Sequence, residues 1–102
     1  MAEADLDVVI RRIAKEQNKG LMAAAKKRRD RLMAQAAKAK SKDTRDQFRQ
    51  AAKDTMQQAT AIAKRLQISA ENAADSYARS MKKAAEQRAK DAAAKTAKKK
   101  PE

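Results

Sequence analysis

The chain has 102 residues, room for one small domain, and sets 26 Lys and Arg against 13 Asp and Glu for a net charge of +13. It holds no Cys and no His, which excludes a disulfide framework and thiol chemistry and removes the commonest metal ligand and general base. Hydrophobic residues reach 42 %, but 26 of them are Ala and only 17 are large. A buried methylene contributes about 0.8 kcal/mol, so Ala adds little core while strongly favouring helix. These features predict an all-α fold of thin, Ala-rich seams, forming a helical hairpin, a bundle or a coiled-coil-like assembly that other copies complete.

The opening "MAEADLD" is acidic, which argues against a signal peptide. No run approaches the roughly 18 apolar residues of a membrane span. The first helix is expected over residues 4–18. Its stripe of Leu6, Ile10 and Ile13, with Val9 beside it, is the most hydrophobic in the chain. Residues 1–18 carry three bases and four acids, so this stripe is expected to pack on another helix rather than on anionic lipid.

Continuing that register meets Gln17 and Gly20. A new stripe starts one position off, as Met22, Ala25, Arg29, Leu32, Ala36 and Ala39, and predicts a second helix over 21–40. Asn18 and Gly20 suit a helix C-cap between the two. The alternative is one continuous helix, with Gly20 costing about 1 kcal/mol relative to Ala. Three helices are therefore expected in all, or four if Gly20 breaks the first.

The second stripe crosses the most basic segment, "AAAKKRRDRLMAQ", with Lys26, Lys27, Arg28, Arg29 and Arg31 offset only by Asp30. At about 100° per residue, four successive bases fan over roughly 300° of a helix and cannot share one face. Arg29 falls on the stripe itself. Either it snorkels there or pairs with Asp46 or Asp54, or the bases meet a polyanion. Lys38 and Lys40 extend the cluster, so residues 19–40 hold eight bases and one acid. The run "KKRR" also resembles a nuclear localisation signal, a pattern that many unrelated chains contain.

Ser41 or Thr44 can N-cap the next helix, over 44–67, and Thr44 with Gln47 matches a capping box. Its seam is Phe48, Ala52, Thr55, Ala59, Ile62 and Leu66. Ser69 then opens a helix over 69–90 with Ala70, Ala74, Tyr77, Met81 and Ala84 on its seam. Residues 1–90 form the helical domain in this reading. Residues 91–102 form a basic low-complexity tail, expected to stay disordered until something acidic binds Lys98, Lys99 and Lys100. Its composition is similar to the lysine- and alanine-rich tails of linker histones, over too short and simple a stretch to identify a family.

Nothing matches a catalytic triad, a metal cluster or a Gly-rich phosphate loop, so no enzyme activity, metal, cofactor or small-molecule substrate is expected. The carboxylates at Asp7–Arg11, Asp75–Arg79, Glu86–Lys90 and Asp91–Lys95 have the i,i+4 spacing of exposed helix pairs. The only aromatic residues, Phe48 and Tyr77, both lie on seams, which leaves no platform for stacking single-stranded bases. Backbone contact with nucleic acid, duplex DNA favoured, remains. The residues expected to make it are Lys26, Lys27, Arg28, Arg29, Arg31, Lys38, Lys40 and Lys98 to Lys100. Assembly into a homo-oligomer is expected through Leu6, Val9, Ile10 and Ile13 with Phe48, Ile62, Leu66, Tyr77 and Met81. The resulting expectation is a small basic structural protein of nucleoid type or internal to a virus particle, acting inside a cell or virion. The alternative is a helical assembly protein whose partner is another protein with an acidic surface.

Overall fold

The computed structural model describes residues 5–99, with side chains through residue 97. Two helices make up the fold, α1 over Leu6–Lys38 and α2 over Lys42–Lys99, and no strand occurs among the described residues. They pair antiparallel. Arg11, near the start of α1, reaches Glu71 and Asp75, while Asn18 reaches Ala63 and Arg29 shares a groove with Arg49 and Lys53. The Cα trace is a flat ribbon of 95 × 27 × 8 Å. Beyond Tyr77, α2 has outrun α1, and of residues 78–97 all but Ala84 are exposed.

Two helices thus stand where three or four were expected. Neither break occurs: α1 runs through Asn18 and Gly20, and α2 runs through Leu66 to Ala70. Gly20 does not adopt positive φ. The reason is the period of the seam. In α1 the inward positions are Ile10, Ala14, Asn18, Leu21, Ala25, Arg29, Leu32 and Ala36, stepping 4, 4, 3. In α2 Ala52, Thr55, Ala59, Ala63, Leu66, Ala70, Ala74 and Tyr77 continue the same cadence. Eleven residues over three turns is about 3.67 per turn, close to the natural 3.6 of an α-helix. A seven-residue repeat drifts against such a stripe, so the apparent slips of phase at residues 18–20 and 66–70 break neither helix.

The same period explains what is buried. Ala14, Ala25 and Ala36 are the buried residues of α1, spaced by eleven. Across from them Ala52, Ala59 and Ala74 are buried, and no large side chain is fully enclosed. Small side chains on both sides let helix axes approach toward the lower end of the usual 8–10 Å range. Asn18 is the polar member of this seam. Its Nδ2 donates to the Ala63 carbonyl at 3.0 Å, and its Oδ1 is buried without a partner. It links the helices and does not cap one.

The connection is three residues, Ala39 to Ser41. Ala39 leaves α1 in an extended conformation, and its N–H still donates to the Ala36 carbonyl at 3.2 Å. Ser41 is the N-cap of α2: its Oγ accepts from the Thr44 N–H at 3.2 Å and donates to Thr44 Oγ1 at 2.8 Å. Capping therefore falls to Ser41, with Thr44 inside the helix. At the other end, residues 91–99 continue α2 rather than forming a separate tail. Ala dominates the stretch and has the best helix propensity. Gln87 donates to Asp91 at 3.1 Å along the same helix. Lys100, Pro101 and Glu102 lie outside the described residues. No helix among the described residues is long and apolar enough to cross a membrane.

Candidate functional site

A two-helix ribbon has two broad faces; the grooves on both have mainly apolar walls, and the faces differ in the charged side chains set along them. One carries a groove near the turn, lined by Arg29, Asp30 and Met33 of α1 with Arg49, Lys53 and Met56 of α2. The other carries two grooves along its length. Leu21, Ala24 and Arg28 face Thr55, Gln58 and Ile62 in one, and Ile10, Ile13 and Gln17 face Leu66, Ser69 and Ala70 in the second. The eleven-residue period extends both sets along the helices. Arg11 and Met22 align with Met33 on the charged face. Leu32 aligns with Ile10 and Leu21, and Phe48 and Met81 align with Ala59 and Ala70, on the apolar face.

The four successive bases fan around α1 as their spacing demands. Arg29 is half-buried at the groove near the turn, Arg28 is exposed at the rim of the groove beside Ile62, and Lys26, Lys27 and Arg31 are exposed. Arg29 Nε pairs with Asp30 Oδ1 at 3.1 Å, not with Asp46 or Asp54. The Asp54 carboxylate instead accepts from Gln50 at 2.9 Å. What gathers around Arg29 is Arg49 and Lys53 from α2, two bases the sequence reading passed over. Their signal was available: Arg45, Arg49 and Lys53 step by four along one side of α2. Lys38 and Lys40 are exposed at the turn. The side chains of Lys98 and Lys99, and all of Lys100, lie outside what is described.

Charge divides unevenly along the ribbon. The closed end, residues 19–64, holds thirteen bases and four acids. The open end, residues 5–18 and 65–77, holds four bases and five acids. Residues 78–99 of α2 add eight bases and two acids. At the open end Arg11 pairs with Asp75 at 2.9 Å, Glu71 at 3.0 Å and Asp7 at 3.5 Å. The hydrogen bond that Arg11 donates to Glu71 holds its guanidinium above its already high ordinary pKa; desolvation opposes, and the charges of Glu71, Asp75 and Asp7 reinforce. Of the expected i,i+4 pairs, Asp7–Arg11 forms, whereas Asp75 turns to Arg11 and Asp91 to Gln87. Arg11 and Arg29 make all the ion pairs among the described residues.

The expected assembly residues fall mostly on the apolar face. Leu6, Ile13 and Ile62 are exposed there, Met81 is exposed on the overhang of α2, and Ile10, Phe48, Leu66 and Tyr77 are half-buried. Val9 is half-buried on α1, although the residues in line with it, Gly20 and Arg31, are exposed. Among the described residues no group of three or more acidic, His or Cys side chains is placed to hold a metal ion. No protein-family model matches the chain, and no curated protein or solved structure matches it.

Proposed function

We propose that this chain is a non-enzymatic structural protein that binds the backbone of nucleic acid, preferably duplex DNA, with little regard to sequence. The observation that carries the reading is the meeting of Arg29 with Arg49 and Lys53 at one groove, within an end of the hairpin where thirteen bases face four acids. Bases from two helices placed on a stiff ribbon can neutralise several phosphates at once and release their counterions. Phe48 and Tyr77 are both half-buried on the apolar face, which leaves phosphate contact rather than base stacking. A nucleoid-type protein, or an internal component of a virus particle, suits such a surface.

The alternative is a helical assembly protein that presents its bases to an acidic protein. The apolar face favours assembly but does not name the ligand of the charged one. Titration of the full chain with several unrelated duplexes between 50 and 200 mM salt separates the readings. Contact with about six phosphates or more predicts a loss on the order of 10³-fold in affinity over that range, alike for every sequence. A flat salt response rejects nucleic acid in favour of the assembly reading.

A further inference from the structure

We infer that the apolar face of the hairpin is closed by a second copy of the chain, the two ribbons stacking face to face and antiparallel as a four-helix bundle. The first argument is area. The chain exposes 8606 Å². A compact monomer of its 11.3 kDa would expose about 5,700 Å² by the usual scaling of surface with mass. Part of the excess belongs to the overhang of α2. The remainder lies on the two broad faces of the ribbon, one of which a second copy would cover.

The second argument is where the apolar groups lie. The buried residues of the hairpin are all Ala, and on one face Leu6 55 %, Ile13 48 % and Ile62 42 % stand exposed beside half-buried Ile10, Leu21, Leu32, Phe48 and Leu66, where the other face offers Met33 with half-buried Met22 and Met56. Both helices contribute to that face at the same eleven-residue period, so it can match itself across a two-fold axis. Arg28 lines one of its two grooves, and nearer the turn Arg31 joins it beside Leu32 and Gln35.

Charge sets the direction. Stacking the ribbons in parallel would put one closed end, with its excess of nine bases, on another. The antiparallel arrangement sets each closed end over the partner's open end, where acids outnumber bases by one. A two-fold axis across the ribbon then lays α1 on the partner's α1 and α2 on the partner's α2, with the middle of α1 meeting its own copy.

Sedimentation equilibrium on the nuclease-treated full chain tests this apart from nucleic-acid binding. A mass of twice 11.3 kDa is expected. Ile13→Asp with Ile62→Lys should give a monomer of unchanged helical circular dichroism, because neither side chain is buried in the hairpin. Val8→Lys with Ile68→Lys is the control: these are as exposed, at 45 % and 51 %, but lie on the charged face's side, in line with Asp30 and Gln57. That variant should remain a dimer. The native chain has no Cys, so Ala24→Cys, in the apolar groove near the middle of α1, reports geometry alone. It should form a disulfide-linked dimer on oxidation, which needs Cα atoms within about 7 Å. A native chain monomeric up to ~100 µM, a control that dissociates like the apolar-face variant, or a dimer that Ala24→Cys fails to cross-link overturns the proposal. So does a monomer that pellets with anionic vesicles through Ile13 and Ile62, which would assign the face to lipid.

Discussion

The open and closed ends of the hairpin are built from the same Ala-rich seam and differ in what their charges do. At the open end Arg11 draws in three carboxylates, two of them from α2 and sixty or more residues away in sequence. Its contacts depend on the register of the helices and help to hold it. At the closed end Arg29 pairs only with its neighbour Asp30, and Arg49 and Lys53 stand at the same groove without ion pairs. Packing is equivalent at both ends, since Ala14 and Ala74 are as buried as Ala36 and Ala52. Charge left unpaired on an otherwise equivalent scaffold is charge available to a partner.

The largest expected effect tests that difference directly. Arg29→Gln, Arg49→Gln and Lys53→Gln together, and Arg11→Gln, Arg12→Gln and Lys15→Gln together, remove the same formal charge from opposite ends. The closed-end variant should lower the salt slope of duplex binding by up to about 2.7 units and the affinity at 0.1 M salt on the order of 10²-fold. The open-end variant should change both far less. Equal losses in a fluorescence-anisotropy titration would mean that net charge, and not the gathering of bases from two helices, governs binding.

Much of this was legible in the residues. Composition gave an all-helical chain, and of the four i,i+4 pairs that the spacing predicts, Asp7–Arg11 forms among the described residues while Asp75–Arg79, Glu86–Lys90 and Asp91–Lys95 do not. The seam residues of α2 from Ala52 to Ala59 were read correctly because, over so short a span, seven- and eleven-residue periods coincide. They part company later. A heptad places Ile62 inward, whereas Ala63 is half-buried and Ile62 is 42 % exposed. Arg49 and Lys53 were missed for a different reason: which bases share a groove depends on the register between two helices. Here the three-residue turn and the contacts of Asn18 and Arg11 accompany a register that neither helix displays alone.

An intermediate effect concerns the helix that joins the two ends. Gly20 is exposed and helical, and a Cβ placed on it would meet nothing within 4 Å. Gly20→Ala should therefore stabilise the fold by about 0.5–1 kcal/mol, since Ala loses less backbone entropy on entering a helix. For a domain of this size the melting temperature should rise by roughly 2–8 °C. The closed end and the open end would then share one stiffer α1. A neutral or lowered melting temperature would show that α1 bends at Gly20 in solution, and that the two ends are less tightly coupled than one straight helix makes them.

The smallest expected effect comes from Arg11→Gln. The Arg11 guanidinium is exposed to solvent, so its attraction to Glu71, Asp75 and Asp7 is screened, and pairs of this kind add little stability. Losing the cation also leaves three carboxylates close together with no positive partner. The melting temperature should fall slightly at low salt, and the difference from the native chain should shrink as salt rises through 0.5 M. Duplex binding should stay nearly unchanged, because this end of the ribbon has no excess of bases. The same substitution at Arg29 should do the reverse, weakening binding while barely moving the melting temperature, since Arg29 bridges nothing between the helices. A fall in melting temperature for Arg11→Gln that salt does not reduce would make its role one of packing by the aliphatic stem, and the contrast between paired and available charge would then rest on Arg29, Arg49 and Lys53 alone.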